Sequence, residues 1–405
     1  MIRVKKTPFQ ANKESLSRLF NCNRISAQVY NDCLKISKAY SKDNGKWINK
    51  TQLQQATKRK YPLHSQSIQA VCHKYLDARN AAREARKKGY KNRYPYKQKK
   101  FFPTKWAKDG FYIDYDKGKI TFSMGIKDGK RQKPLSVKVD KLPSGKIKEI
   151  ELVYSGKLHL AITYEDGYHP KENNSKTIAA IDMGEIHSIA SVTENGESLI
   201  ITARQLRSIK RLRNKKHSQI RKKLSRTKKG SRRHRKLRRA MHSITNKTDR
   251  QQQDILHKTS HNFLKWAKEN EVKTVVVGDV EGVQRNTSAR KKTNPNKKRR
   301  RRQVSQKLSQ WSFGILLTYL AYKLAANSIE LVCRSEAYTS QTCPVCHRKK
   351  KPSGRVYRCH CGYREHRDIH GAKNILSLHK YGSIQDLAID VKQITYLRPA
   401  ACGKK

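Results

Sequence analysis

Three apolar runs constrain the second half of this chain more than any other feature. "TIAAID" (Thr177 to Asp182), "TVVVGD" (Thr274 to Asp279) and "SIELVC" (Ser328 to Cys333) are too short for buried helices, and they are rich in the residues that a strand covered on both faces requires. Long segments of helical pattern separate them. Strands alternating with helices predict an α/β sheet, and in such sheets functional groups gather at strand ends. The first run ends on Asp182, the second on Asp279, and Glu336 follows the third.

The first half reads differently. Leu16, Leu19, Phe20, Val29, Cys33 and Ile36 fall close to helical spacing, and Ile68, Val71, Tyr75 and Ala78 repeat the pattern, which predicts helices of a small bundle. In "KKGYKNRYPYKQKKFFPTKW" (Lys87 to Trp106) aromatic rings alternate with cations, and Pro95 and Pro103 prevent a helix. The segment suits base stacking beside phosphate contacts, or equally a loop whose rings pack into a neighbouring core. From Phe111 to Tyr164 short alternating runs are joined by the turns "DKGK" and "SGK", giving an antiparallel sheet or small barrel. Polar "GYHPKENNSK" (Gly167 to Lys176) then marks a domain boundary.

Charge selects the partner. Against 31 acidic residues stand 92 Lys and Arg, a formal +61 over 405 residues that repels itself unless a polyanion neutralises it. A long nucleic acid is expected. The most basic stretches, Arg204 to Met241 and Arg290 to Gln303, lie between the apolar strands and are assigned to tracking phosphates. Neither an apolar membrane span nor a signal-peptide core is evident, so a cytoplasmic, nucleoid-associated protein with no membrane partner is expected.

The cysteines are the most specific local signal. Cys343 and Cys346 form C-x2-C, and after a twelve-residue loop Cys359 and Cys361 form C-x-C. Four thiolates on two such turns suit one closed, structural Zn2+ site, with His347 or His360 as the substitute ligands if the short second pair fails. Directly afterwards, "EHRDIHGAKNIL" begins a helix that carries Asp368.

Taken in order, "IDMG", "YTSQTCPVC", "YRCHCG" and "HRDIHGAKNI", with a basic helical segment after the first, resemble TnpB, the RNA-guided nuclease encoded by bacterial insertion sequences. Miniature type V CRISPR effectors share the arrangement. The resemblance implies a multidomain α+β and α/β protein: a wedge β-barrel (1–12 and 91–172) with an inserted helical recognition lobe (13–90), then a RuvC-type, RNase H-like nuclease domain (173–336 and 365–380). A zinc-binding target-nucleic-acid module (337–364) interrupts the latter. The segment 381–405 is left as a C-terminal tail without a readable motif. The implied partners are a guide RNA from the transposon end, one protein per guide, and target double-stranded DNA.

A nuclease of this type holds two catalytic Mg2+ ions on oxygen ligands, usually three carboxylates. By resemblance Asp182 is the first and Asp368 the last. Relatives have glutamate followed by aspartate after the central strand, whereas Gly278 occupies the glutamate position here. Asp279 is next to it but alternates to the other face of the strand, and Glu281 lies beyond the strand. Glu336 ends a different strand, expected to run near that of Asp182, and is assigned as the third ligand. Other readings are a nuclease-inactive RNA-guided repressor, a CRISPR effector, a DDE-type transposase and a non-catalytic basic zinc protein.

Overall fold

A computed structural model describes residues 1–127, 129–280 and 302–401. The chain divides into two compact units, Met1–Tyr168 and His169–Lys405, and the division falls within the polar stretch expected to be a boundary.

In the first unit the elements follow in the order β1 (Ile2–Thr7), α1 (Lys13–Asn44), α2 (Lys50–Thr57), α3 (Ser65–Lys87), β2 (Thr104–Ala107), β3 (Phe111–Asp114), β4 (Lys119–Phe122), β5 (Ile126–Lys127), β6 (Lys130–Arg131), β7 (Leu135–Lys138), β8 (Lys146–Tyr154) and β9 (Leu158–Glu165). One antiparallel sheet has the order β1-β9-β8-β2 and another β3-β4-β7. The hairpins β3/β4 and β8/β9 turn at the expected "DKGK" and "SGK". Leu19, Val29 and Cys33 of α1 and Ile68, Val71 and Tyr75 of α3 share one core with both sheets. Ala78 is exposed instead; Cys72 and Leu76 take the inner face of α3.

The aromatic segment after α3 divides between its two readings. Phe102 stacks on Tyr30 at 4.7 Å, and Trp106 is buried against Phe122 at 4.4 Å with its indole N–H donated to the Ser123 carbonyl. Tyr96, by contrast, is 51% exposed, with the cations of Arg93 and Lys97 at 5.9 and 5.7 Å from its ring.

The second unit contains β10 (Thr177–Asp182), β11 (His187–Thr193), β12 (Ser198–Thr202), α4 (Arg204–Ser225), α5 (Arg232–Glu269), β13 (Val272–Asp279), α6 (Arg302–Ser309), α7 (Phe313–Ala325), β14 (Glu330–Ser335), β15 (Val356–Arg358), β16 (Arg364–His366), α8 (Arg367–Tyr381) and β17 (Ile394–Leu397). Its sheet has the order β14-β13-β10-β11-β12-β17. The three apolar runs are β10, β13 and β14, neighbours that run parallel, with Ile181 opposite Val277 and Val277 opposite Cys333. The Glu336 strand therefore runs near the Asp182 strand, with β13 between them.

Both faces of this sheet are covered, which is why its central strands are apolar throughout. Val275 and Val277 face a core with Phe263 and Trp266 of α5 and Leu316, Leu320 and Leu324 of α7. Ala180 and Val276 point to the other side, against Ile375 and Leu376 of α8. The segment set apart as a tail contributes β17, which pairs in parallel with β12 and so belongs to the sheet.

The stretch Arg204 to Met241 forms α4 and the start of α5, two helices packed on each other with most cations exposed. Most of Arg290 to Gln303, like Glu281, lies outside the described residues. Among those residues no helix is long and apolar enough to cross a membrane.

Candidate active site

Asp182 is the last residue of β10, and its side chain lies on the face that α8 covers, two residues beyond the buried Ala180. The helix can approach there because residue 371 is glycine. A Cβ at that position would run into Asp182 Oδ2.

Gly278 and Glu336 form a second fitted pair. On β13, Gly278 follows Val276 by two residues and so faces α8, whereas Asp279 is exposed on the opposite face. A Cβ on Gly278 would lie 2.8 Å from Glu336 Oε2, 3.1 Å from Glu336 Cβ and 2.9 Å from Ile375 Cδ1. The side chain of Glu336 thus fills the space that a residue-278 side chain would take. It gets there from the turn after β14, crossing the end of β13 toward Asp182.

Asp368 comes to the same edge from the first turn of α8. Burial pushes Asp182 up to about 8, with the charges of Asp368 and Glu336 adding to the effect and Arg367 opposing it. Burial, and then the charge of Asp279, push Glu336 up to about 7. For Asp368, burial acts upward, but a hydrogen bond from His187 and the nearby His187, His366 and Arg367 outweigh it and hold the carboxyl below its ordinary range. That hydrogen bond, His187 Nδ1 to Asp368 Oδ2, is 2.6 Å long. The three carboxylates are close enough to feel one another, yet their oxygens are not drawn into one tight set; Asp368 turns instead toward His187.

The donor set fits a hard divalent cation. It is all oxygen, it sits at one sheet edge, and its most buried member is forced toward the neutral acid by burial first and then by two carboxylate charges that a cation would offset.

The four cysteines do come together: Cys343 Sγ is 3.6 Å from Cys361 Sγ, Cys346 Sγ is 3.4 Å from Cys359 Sγ, and all four sulfurs lie within 4.8 Å of one another. Sulfurs bound tetrahedrally at ~2.3 Å would be about 3.8 Å apart, so the site could hold Zn2+. The backbone N–H of Cys361 brings the Cys359 thiol down to about 6, whereas burial pushes that of Cys343 up to about 12, so ligation by all four would require a cation to draw the protons off. His347 and His360 are not among the four converging ligands.

Sequence reasoning did not single out the residues that connect these sites. Buried Asn374 on α8 donates to the carbonyls of Thr339 (2.7 Å) and Thr342 (2.8 Å), pinning the turn that carries Glu336. His370 stacks on Tyr357 at 3.9 Å, and Tyr357 donates to the Gln341 carbonyl. With Gly371 beside Asp182 and Ile375 beneath Gly278, the string "HRDIHGAKNI" acts as one packing unit, of which the sequence motif had marked only Asp368 for a role.

A family model described as Cas12f1-like, TNB domain, matches residues 313–375, and another described as probable transposase matches residues 159–284. A TnpB-like protein of Methanocaldococcus jannaschii is 27% identical over 222 residues, 53% of this chain and 73% of that protein. The chain belongs to the TnpB family. The two matched regions of this TnpB-family chain contain, between them, Asp182 and Asp279 in one and Glu336, the four cysteines and Asp368 in the other. Its fold is similar to that of Cas12f1 in a cryo-EM structure of a Cas12f1–sgRNA–target DNA complex, with a TM-score of 0.64 and 14% identity over 90% of this chain and 83% of that one.

Proposed function

We propose that this TnpB-family protein is an RNA-guided DNA endonuclease of a transposable element, taking a guide RNA from the transposon end and cutting complementary double-stranded DNA beside a short flanking motif. The observation that carries the reading is the carboxylate of Glu336 standing in the space above Gly278, at the edge where Asp182 and Asp368 converge. A chain that had lost its nuclease would have no reason to keep a replacement there.

Asp182, Glu336 and Asp368 are the residues that would hold two Mg2+ ions. Bound there, such ions would activate a water and stabilise the leaving oxygen of a phosphodiester. The protein's own part is placement: Gly371 leaves room for Asp182, the His187 hydrogen bond aims Asp368, and Asn374 fixes the turn under Glu336. Cys343, Cys346, Cys359 and Cys361 would hold one structural Zn2+. The exposed cations of α4 and α5 would follow phosphates, and Tyr96 with Arg93 and Lys97 would stack on a base. In this reading the sheets of the first unit are the wedge barrel and α1 to α3 its recognition lobe. The second unit is the RuvC-type nuclease with residues 337–364 as its zinc module, working in the cytoplasm at the nucleoid.

The test is to sequence the RNA that copurifies with the protein and offer a plasmid carrying its complement. Mg2+-dependent cutting next to one short motif is expected. Copurifying RNA without a common transposon-end sequence, or binding of the matched plasmid with no cutting under any flanking sequence, would overturn the reading.

A further inference from the structure

One cluster at this edge is separate from the cysteines and shares a single residue, Asp368, with the proposed Mg2+ set. His187 opens β11 and is 7% exposed; His366 closes β16; Asp368 lies in the first turn of α8. One ligand atom from each can be chosen so that all three lie within 4.8 Å of one another. The His187 and His366 rings stand 5.9 Å apart, centre to centre, and His187 is already hydrogen-bonded to Asp368 at 2.6 Å.

The independent observation is His366. Its Nδ1 is buried and has no hydrogen-bond partner among the described residues, an arrangement that folded proteins seldom leave without a reason. A buried, unpartnered nitrogen on a ring that is grouped with an imidazole and a carboxylate is explained by a ligand that all three share.

Two imidazoles and one carboxylate suit a borderline transition-metal ion, whereas Mg2+ prefers oxygen and keeps its water. We propose that His187, His366 and Asp368 form a second metal site, selective for an ion of the Zn2+ class, whose occupation silences the nuclease by withdrawing Asp368 from the Mg2+ set. On binding, the ion displaces the Nδ1 proton that His187 shares with Asp368; that proton passes to water and Nε2 takes one up, so the ring ligates as a neutral imidazole and Asp368 as a carboxylate. The silencing rests on the proposed catalytic role of Asp368; the binding does not.

The experiment uses the full-length protein bound to its RNA and titrates Zn2+ against a chelating indicator dye, alongside cutting in Mg2+. The wild type should take two protein-bound equivalents, one on the cysteines and one here, while His366→Gln takes one. The retained cysteine equivalent reports that the variant is folded. His366→Gln should still cut in Mg2+, and its half-inhibitory Zn2+ concentration should rise on the order of 10- to 100-fold. A wild type that binds a single equivalent, or a His366→Gln variant that keeps both, overturns the site and leaves the His187–Asp368 contact as a positioning hydrogen bond. A wild type that binds two equivalents and cuts unimpeded overturns the silencing. If the wild type never cuts, the endonuclease reading is what fails, and the stoichiometry still decides the site.

Discussion

Asp182 is a buried carboxylate with two others beside it. Its carboxyl is held up at about 8 by burial and by two neighbouring carboxylates, so the folded chain binds a proton there that the unfolded chain gives up near pH 4. The sign follows: without Mg2+, this group's contribution to stability falls as pH rises from about 4 to 8 and levels off above. Asp182→Asn should therefore raise the melting temperature of the Mg2+-free protein, by more at pH 8 than at pH 5, and should abolish the stabilisation that added Mg2+ gives the wild type. Equal gains at both pH values would contradict this. Gly371→Ala makes a separate prediction: its Cβ meets Asp182 Oδ2, so cutting should fall on the order of 100-fold while guide-dependent target binding persists. At this scale Asp182 and Asp368 were legible because short motifs contain them. His187 was not, since its partner is 181 residues away and nothing local distinguishes it from a buried strand histidine.

At the scale of elements, α8 organises the site. It begins at Asp368, opens a gap at Gly371, clamps the Glu336 turn through Asn374 and leans on the zinc module through His370. The cysteine site should consequently matter beyond its own loop. Cys343→Ser combined with Cys346→Ser should remove about one equivalent of zinc, measured by metal analysis, and lower cutting because the Glu336 turn loses its support. Zinc retained unchanged in that variant would defeat the assignment. The hairpins and the apolar strands were readable because periodicity and turn residues are local signals. The edge strands were not: β1 pairs with β9 across most of the first unit, and β17 is a short, partly polar strand that acquires its role only by lying beside β12. Glu336 was legible as a carboxylate on a strand near that of Asp182, but the order β14-β13-β10 became visible only in the sheet, which single-strand patterns do not encode.

For the molecule as a whole, charge dominates. An excess of +61 is tolerable only against phosphates, so the free protein should be prone to aggregation, the RNA-bound form should melt at a higher temperature, and RNA affinity should fall steeply with salt. A monodisperse RNA-free protein with the same melting temperature would count against this. Affinity for the target then comes from base pairing and from cations spread over α4 and α5, whereas cutting depends on three carboxylates at one sheet edge. The account accordingly predicts that the two can be separated, and it places the separation at Glu336. The most direct measurement compares Glu336→Ala, Asp279→Ala and Asp182→Ala for Mg2+-dependent cutting and for binding of the same guide-matched DNA. Glu336→Ala and Asp182→Ala should each lose on the order of 100-fold or more in cutting with binding retained, and Asp279→Ala should keep most of its activity. Normal cutting by Glu336→Ala together with loss of cutting by Asp279→Ala would contradict the account and return the third carboxylate to β13.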